Sequence, residues 1–183
     1  MGSEMCIRDR YKGKSKTVKV PEGIKTIGAS AFWNNVFVED VILPESLERL
    51  GGDCFYYCKN LKKVNIPKKV WIMGNNPFAG CPNLQITNES PNFILENGVL
   101  YDKDKTNLIH YTISNPQTEF IVPDGVMCLG KHCFYACNNL QKIVIPESVI
   151  RFENNPFSGC EHLSLDCLLY TSTSPRDPKT SRM

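Results

Sequence analysis

C-F-Y-Y-C-K-N-L-K-K-V-N-I-P-K-K-V-W-I-M-G-N-N-P-F-A-G-C-P-N-L, from Cys54 to Leu84, is present twice in this chain. Seventy-nine residues later, Cys133 to Leu163 reads C-F-Y-A-C-N-N-L-Q-K-I-V-I-P-E-S-V-I-R-F-E-N-N-P-F-S-G-C-E-H-L, identical at 17 of 31 positions without a gap. Self-similarity of this kind marks a repeat array. Inside each copy runs a shorter period, because Pro21, Pro44 and Pro67 lie 23 residues apart, as do Pro123 and Pro146. Counted from each proline, the third residue is aliphatic (Ile24, Leu47, Val70, Val126, Val149) and the sixth apolar (Ile27, Leu50, Met73, Leu129, Phe152). The eleventh is always phenylalanine (Phe32, Phe55, Phe78, Phe134, Phe157), and the fourteenth is cysteine in four of five repeats (Cys58, Cys81, Cys137, Cys160) with Asn35 in the first. One such unit cannot bury its own apolar face; stacked units bury a continuous core in which each template position becomes a ladder.

Local patterns assign elements to the unit. The L-x-x-V-x-I-P piece alternates and reads as a short strand that proline ends, since proline has no N–H for the next rung. The V-x-x-I-G piece reads as a second short strand with a turn. The A-F-x-x-C-x-x-L spacing predicts one or two helical turns.

This template resembles the BspA-type leucine-rich repeat, whose pattern runs roughly I-x-I-P-x-x-V-x-x-I-G-x-x-A-F-x-x-C-x-x-L. The first repeat keeps I-G-A-S-A-F at Ile27 to Phe32; Cys54 and Cys133 replace the alanine in the second and fourth, and Pro77 and Pro156 in the third and fifth. The resemblance runs from about Thr17 to Leu165. It implies an α/β, β-rich right-handed leucine-rich-repeat solenoid with short strands, short helical turns and an inserted β-hairpin. It also implies protein binding, usually by microbial surface or secreted proteins, and hence an extracellular or cell-surface location.

The insert is the stretch 87–122, between repeats in 11–86 and in 123–166. Alternating apolar runs flank a polar turn at Asp102 to Asn107, which predicts a hairpin with Val99, Tyr101, Leu108 and Tyr111 in its strands. The segments 1–10 and 167–183 carry no template residues, and both contain pieces resembling translated sequencing adapters. They are expected to be non-native or disordered, so the absence of a signal peptide carries no information about location.

Composition narrows the function classes. Residues 11–166 hold 16 basic and 16 acidic side chains, which argues against a nucleic-acid or anionic-membrane footprint. No apolar run is long enough to span a bilayer, so membrane insertion is not expected. The nine cysteines mostly occupy ladder positions and read as small buried hydrophobes rather than as disulfides or zinc ligands. Asp102-x-Asp104 lacks the glycine and glutamate of a calcium loop. His110, His132 and His162 share no template position, and none is placed with a nucleophile and a carboxylate. No catalytic, cofactor or metal residue is therefore assigned, and the chain is expected to be a monomeric binding protein rather than an enzyme. Lys59, Lys62, Lys63, Lys68 and Lys69 read as a solvated face.

The candidate binding surface is the row of outward strand positions: Thr17 and Lys19, Asp40 and Ile42, Lys63 and Asn65, Lys142 and Val144. Ile42 and Val144 are apolar side chains expected to be exposed there. Two rival readings are a passive spacer in a larger surface protein and a repeat appendage on an enzyme.

Overall fold

The computed structural model describes residues 6–7, 10–163 and the backbone of 168–170. In chain order the strands are β1 (Cys6–Ile7), β2 (Thr17–Lys19), β3 (Thr26–Ile27), β4 (Asp40–Ile42), β5 (Arg49–Leu50), β6 (Lys63–Ile66), β7 (Ile72–Met73) and β8 (Gln85–Asn88). They continue with β9 (Phe93–Glu96), β10 (Val99–Asp102), β11 (Asn107–Tyr111), β12 (Glu119–Ile121), β13 (Cys128–Leu129), β14 (Lys142–Ile145), β15 (Arg151–Phe152) and β16 (Leu168–Tyr170). Each proline-bounded repeat contributes one strand to each of two faces, so the chain coils as a β-solenoid. The front face carries parallel sheets β2-β4-β6-β8 and β12-β14-β16; the back face carries β1-β3-β5-β7 and β15-β13-β11-β10-β9. Registers repeat from coil to coil: Val18 faces Val41, and Val41 faces Val64.

The third side of the coil is not helical. Among the described residues no helix is present, which corrects the expected helical turns. The hydrogen bonds give the reason. Ala31, Trp33 and Asn35 donate back three residues, to the carbonyls of Gly28, Ser30 and Phe32. The alternate donors Ser30, Phe32 and Asn34 reach the next coil instead, at the carbonyls of Gly52, Cys54 and Tyr56. A helix would keep every N–H within its own segment. Left-handed residues reset the chain at Ser30, Asp53, His132 and Asn155 in four of the five repeats, and in all five at Asn34, Tyr57, Gly80, Ala136 and Gly159. The three-residue spacing read from sequence is the spacing of consecutive turns.

The phenylalanines stack along the axis as expected. Phe32, Phe55 and Phe78 have ring centroids 5.1 and 6.0 Å apart, and Phe134 and Phe157 are 5.4 Å apart. Two tyrosines extend the ladder. Tyr11 lies 5.3 Å from Phe32 and Tyr111 lies 5.2 Å from Phe134. The cysteines do more than fill space. Cys58, Cys81 and Cys160 donate from Sγ to the carbonyls of Phe32, Phe55 and Phe134 one coil earlier, at 3.0, 3.1 and 2.9 Å. Asn35 makes the same upstream reach, to the carbonyl of Gly13 at 3.0 Å, so a donor rather than a thiol as such is what the position requires. A serine ladder joins the coils near the prolines. Ser46 donates to Ile24 and Ser148 to Val126, both at 2.9 Å, and Ser90 of S-P-N-F supplies the same bond to Val70 at the start of the insert.

The insert is a three-stranded antiparallel meander. Val99 pairs with Tyr111 across the expected hairpin, and Val99 also pairs with Glu96 of β9. Asn97 and Gly98, at φ 49 and 77°, form the β9–β10 turn, where a two-residue hairpin loop needs positive φ at both positions. Asp102 closes the other turn by accepting from the N–H groups of Thr106 and Asn107 at 2.7 and 3.0 Å. Both faces of the meander are covered. Phe93, Leu100 and Ile109 join the core of the upstream coils, whereas Val99, Tyr101, Leu108 and Tyr111 join that of the downstream coils.

β1 pairs with β3, and the backbone of β16 pairs with β14. The other residues of 1–10 and 167–183, apart from Arg10, lie outside the described residues, as does Leu165.

Candidate binding face

Alternation along the front strands sets the chemistry of the face. In β4, Val41 points into the core, while Asp40 and Ile42 point outward and Ile42 is half exposed. In β6, Val64 and Ile66 are buried and Lys63 and Asn65 are not. Strand pairing then brings residues from successive coils into two rows. Thr17, Asp40, Lys63 and Gln85 form one, and Lys19, Ile42, Asn65 and Thr87 the other. Apart from Lys19, these rows line a groove of about 650 Å³ together with Glu45.

Six of the eight residues anticipated from sequence therefore share one four-stranded sheet, although Lys19 does not line the groove. Lys142 and Val144 lie on β14, in the separate downstream front sheet, because the meander adds its strands to the back face only. Gln85, Thr87 and Glu45 were not anticipated. The first two were readable, since L-Q-I-T-N, one residue short of the 23-residue period, places them 22 residues beyond Lys63 and Asn65.

Thr87 Oγ1 donates to Asn65 Oδ1 at 2.9 Å, and Asn65 Nδ2 donates to Glu89 Oε1 at 2.8 Å, so the second row is held by its own hydrogen bonds. At its edge Glu39 sits between Lys62 (2.5 Å) and Lys16 (2.9 Å). Hydrogen bonds from these two ammonium groups hold the Glu39 carboxyl at about 2. The groove thus offers a hydrogen-bonded asparagine, a glutamine, one lysine, one aspartate, one glutamate and a half-exposed isoleucine.

Other reactive side chains sit in structural settings. The described cysteines are free thiols. Burial pushes the Cys58 thiol up to about 11 and that of Cys54 well above its ordinary value, the opposite of a nucleophilic cysteine. Burial also pushes His110 down to about 3, beside the Phe78 ring. Among the described residues no group of histidines, cysteines and carboxylates converges to hold a metal. A second polar cluster joins repeats two and four. Tyr57 lies over Gly80, where a Cβ would meet its ring at 2.9 Å, and its hydroxyl meets that of Tyr135. Lys131 pairs with Asp53 at 2.7 Å, and Asn76 Nδ2 donates to the His132 carbonyl at 2.8 Å. This cluster clamps the third repeat from outside.

The coil, its ladders and its registers have their counterpart in a known repeat. The model of the BspA type leucine rich repeat region matches residues 11–107 and 109–168, in six copies. The chain belongs to the BspA-type leucine-rich repeat family. The insert carries an aromatic rung of its own, since Tyr111 precedes Phe134 by 23 residues and packs on it. A leucine-rich cell surface protein of Faecalibacterium prausnitzii is 30% identical, with a TM-score of 0.75 over 81% of this chain and 40% of its own. A leucine-rich repeat protein of Eubacterium ventriosum (TM-score 0.61, 21% identity, 81% of this chain and 52% of its own) shares the fold. So does the pneumococcal vaccine antigen PcpA (TM-score 0.60, 20% identity, 87% of this chain and 53% of its own). The chain spans about half the length or less of these proteins. No curated protein matches the sequence.

Proposed function

We propose that this chain is a protein-interaction module of a microbial surface or secreted leucine-rich-repeat protein, serving adhesion or binding to host or matrix protein. The observation that carries the reading is the coincidence of the outward front rows with the 650 Å³ groove. Extended faces of this kind are what solenoids use for partners. The ligand is a protein lying across β4, β6 and β8, with Ile42 as its apolar contact and Asp40, Lys63 and Gln85 setting register. The module acts as a monomer, outside the cell and without catalytic activity. Its coil is right-handed, the sense that parallel strands joined by crossovers strongly favour. The repeat blocks 11–86 and 123–166 and the intervening 87–122 form the working unit, and 1–10 and 167–183 add nothing to binding.

The test is surface plasmon resonance against immobilised matrix proteins such as fibronectin and fibrinogen, with wild type compared with Ile42→Asp and Lys63→Glu. Both substitutions are at outward positions, so melting temperatures should stay within a few degrees. Loss of binding in both supports the assignment. Wild-type protein that binds no matrix protein moves the reading to the spacer, and unchanged binding in both variants moves the ligand off this face.

A further inference from the structure

A second surface departs from the repeat template in a way that the packing of the coil does not explain. The fifteenth and sixteenth residues after each proline are Lys59-Asn60, Pro82-Asn83, Asn138-Asn139 and Glu161-His162 in four repeats, but Val36-Phe37 in the first. Both side chains are exposed, at 41% and 45%, and Trp33 beside them is 41% exposed. The neighbouring upstream segment brings cations to the same corner. Lys14 lies 5.7 Å from the Phe37 ring. Lys12 lines the shallow hollow of about 280 Å³ between the two segments. Among the described residues Lys12 and Lys14 make no ion pair.

We propose that this corner is a peripheral anchor for an anionic phospholipid surface. Three large apolar side chains on one loop gain by leaving water for the acyl boundary, and tryptophan suits the headgroup layer because its ring is apolar and its N–H polar. Lysines flanking such a patch lay their stems on the apolar surface and present ammonium groups to phosphate. A sulfated or carboxylated glycan would use the cations but would leave Val36 and Phe37 in water, so the apolar pair decides for lipid. The contact is interfacial and needs no spanning segment; no helix in the described residues is long and apolar enough to cross a membrane. It departs locally from the charge balance of the array, which by itself argued against an anionic-membrane footprint, because Lys12 and Lys14 have no acidic partner among the described residues.

The experiment is co-flotation of the full chain with vesicles of phosphatidylcholine alone and of phosphatidylcholine mixed with phosphatidylserine, whose anionic headgroups attract basic segments. Fluorescence is read in a Trp71→Phe background, which leaves Trp33 as the reporter. The expected result is flotation with the anionic vesicles, weakened by salt, with a blue shift of Trp33 emission. Val36→Asp with Phe37→Asp, and separately Lys12→Glu with Lys14→Glu, should each weaken binding by roughly tenfold or more, since apolar burial and charge attraction both contribute. Ile42→Asp, on the front groove, should leave it unchanged. Absence of binding to anionic vesicles overturns the proposal. So does equal binding by the Val36/Phe37 variant, or binding to heparin with none to vesicles. Circular dichroism melts of both double variants establish that they fold.

Discussion

The repeats and the meander solve the same packing problem in opposite ways. A repeat strand buries one face and shows the other, as in β6, where Val64 and Ile66 go inward and Lys63 points out. The meander buries both: four of the five residues of β11 are buried, with Leu108 in the downstream core and Ile109 in the upstream one. Phenylalanine stacking within the repeats gives way, across the meander, to the edge of His110 against Phe78 on one side and Tyr111 against Phe134 on the other. The meander is therefore a septum. It transmits the stack along the back face while dividing the core in two and parting the front sheet.

The largest effect belongs to the stack itself. Phe55 is fully buried between two rings, and Phe55→Ala should cost roughly 3–5 kcal/mol in a denaturant melt. Phe157 is only partly buried and has a ring neighbour in Phe134, and Phe157→Ala should cost markedly less because interfaces between coils carry the stability. Equal losses would mean that the two positions are equally enclosed and that the coils do not differ along the array.

Next comes the two-sided burial. Leu108→Ala and Ile109→Ala, adjacent in sequence, should each cost roughly 2–5 kcal/mol because each empties a different core. In β6 the adjacent pair should differ: Val64→Ala destabilises, while Lys63→Ala stays within about 0.5 kcal/mol, as surface changes do. If only one of Leu108 and Ile109 matters, the meander is an ordinary one-sided hairpin.

Much of this was legible beforehand. The period, the phenylalanine ladder, the outward rows and the hairpin at Asp102 to Asn107 follow from spacing alone, because stacked coils force each position to repeat. What was missed has physical causes. The turns with three-residue spacing mimic a helix, since only the cross-coil hydrogen bonds tell the two apart. Strand β9 was hidden because Asn97-Gly98, a hairpin turn signal, is followed so closely by the more conspicuous polar turn. Tyr11 and Tyr111 went unread as rungs because a hydroxyl replaces the signature phenylalanine, and Tyr11 is 21 rather than 23 residues before Phe32. The separation of Lys142 and Val144 from the other face residues depends on which sheet the meander joins, and no local pattern specifies that.

His110 gives the septum a pH dependence of its own. Its folded value near 3 lies below the ordinary 6.5. Between these values the unfolded chain takes up a proton that the folded chain refuses, so stability is full above about pH 6.5 and falls as the pH drops. The slope is about 1.4 kcal/mol per pH unit. Between pH 6.5 and 5 wild type should therefore lose about 2 kcal/mol more than His110→Leu. Matching pH profiles would show that the imidazole reaches water and that the septum is open at that point.

The smallest effect tests whether the turns of different coils are truly equivalent. The thirteenth residue after the proline is left-handed in every repeat, but it is glycine only at Gly80 and Gly159; Asn34, Tyr57 and Ala136 adopt the same conformation at a cost. Ala136 and Gly159 make the cleanest pair. Ala136 has φ 54° and a side chain too small to form compensating contacts, and a Cβ on Gly159 would lie 3.5 Å from its nearest neighbours, an ordinary contact. The backbone conformation alone then decides both substitutions. Gly159→Ala should destabilise by about 1 kcal/mol, the cost of a left-handed L-residue. Ala136→Gly removes that cost but returns chain entropy to the unfolded state, so its gain should be smaller, about 0.5 kcal/mol. Opposite signs at the two positions would confirm that both coils make the same turn. Destabilisation by Ala136→Gly would mean that the turn of the fourth repeat is built differently from that of the fifth, and that the stack is less regular than its ladders.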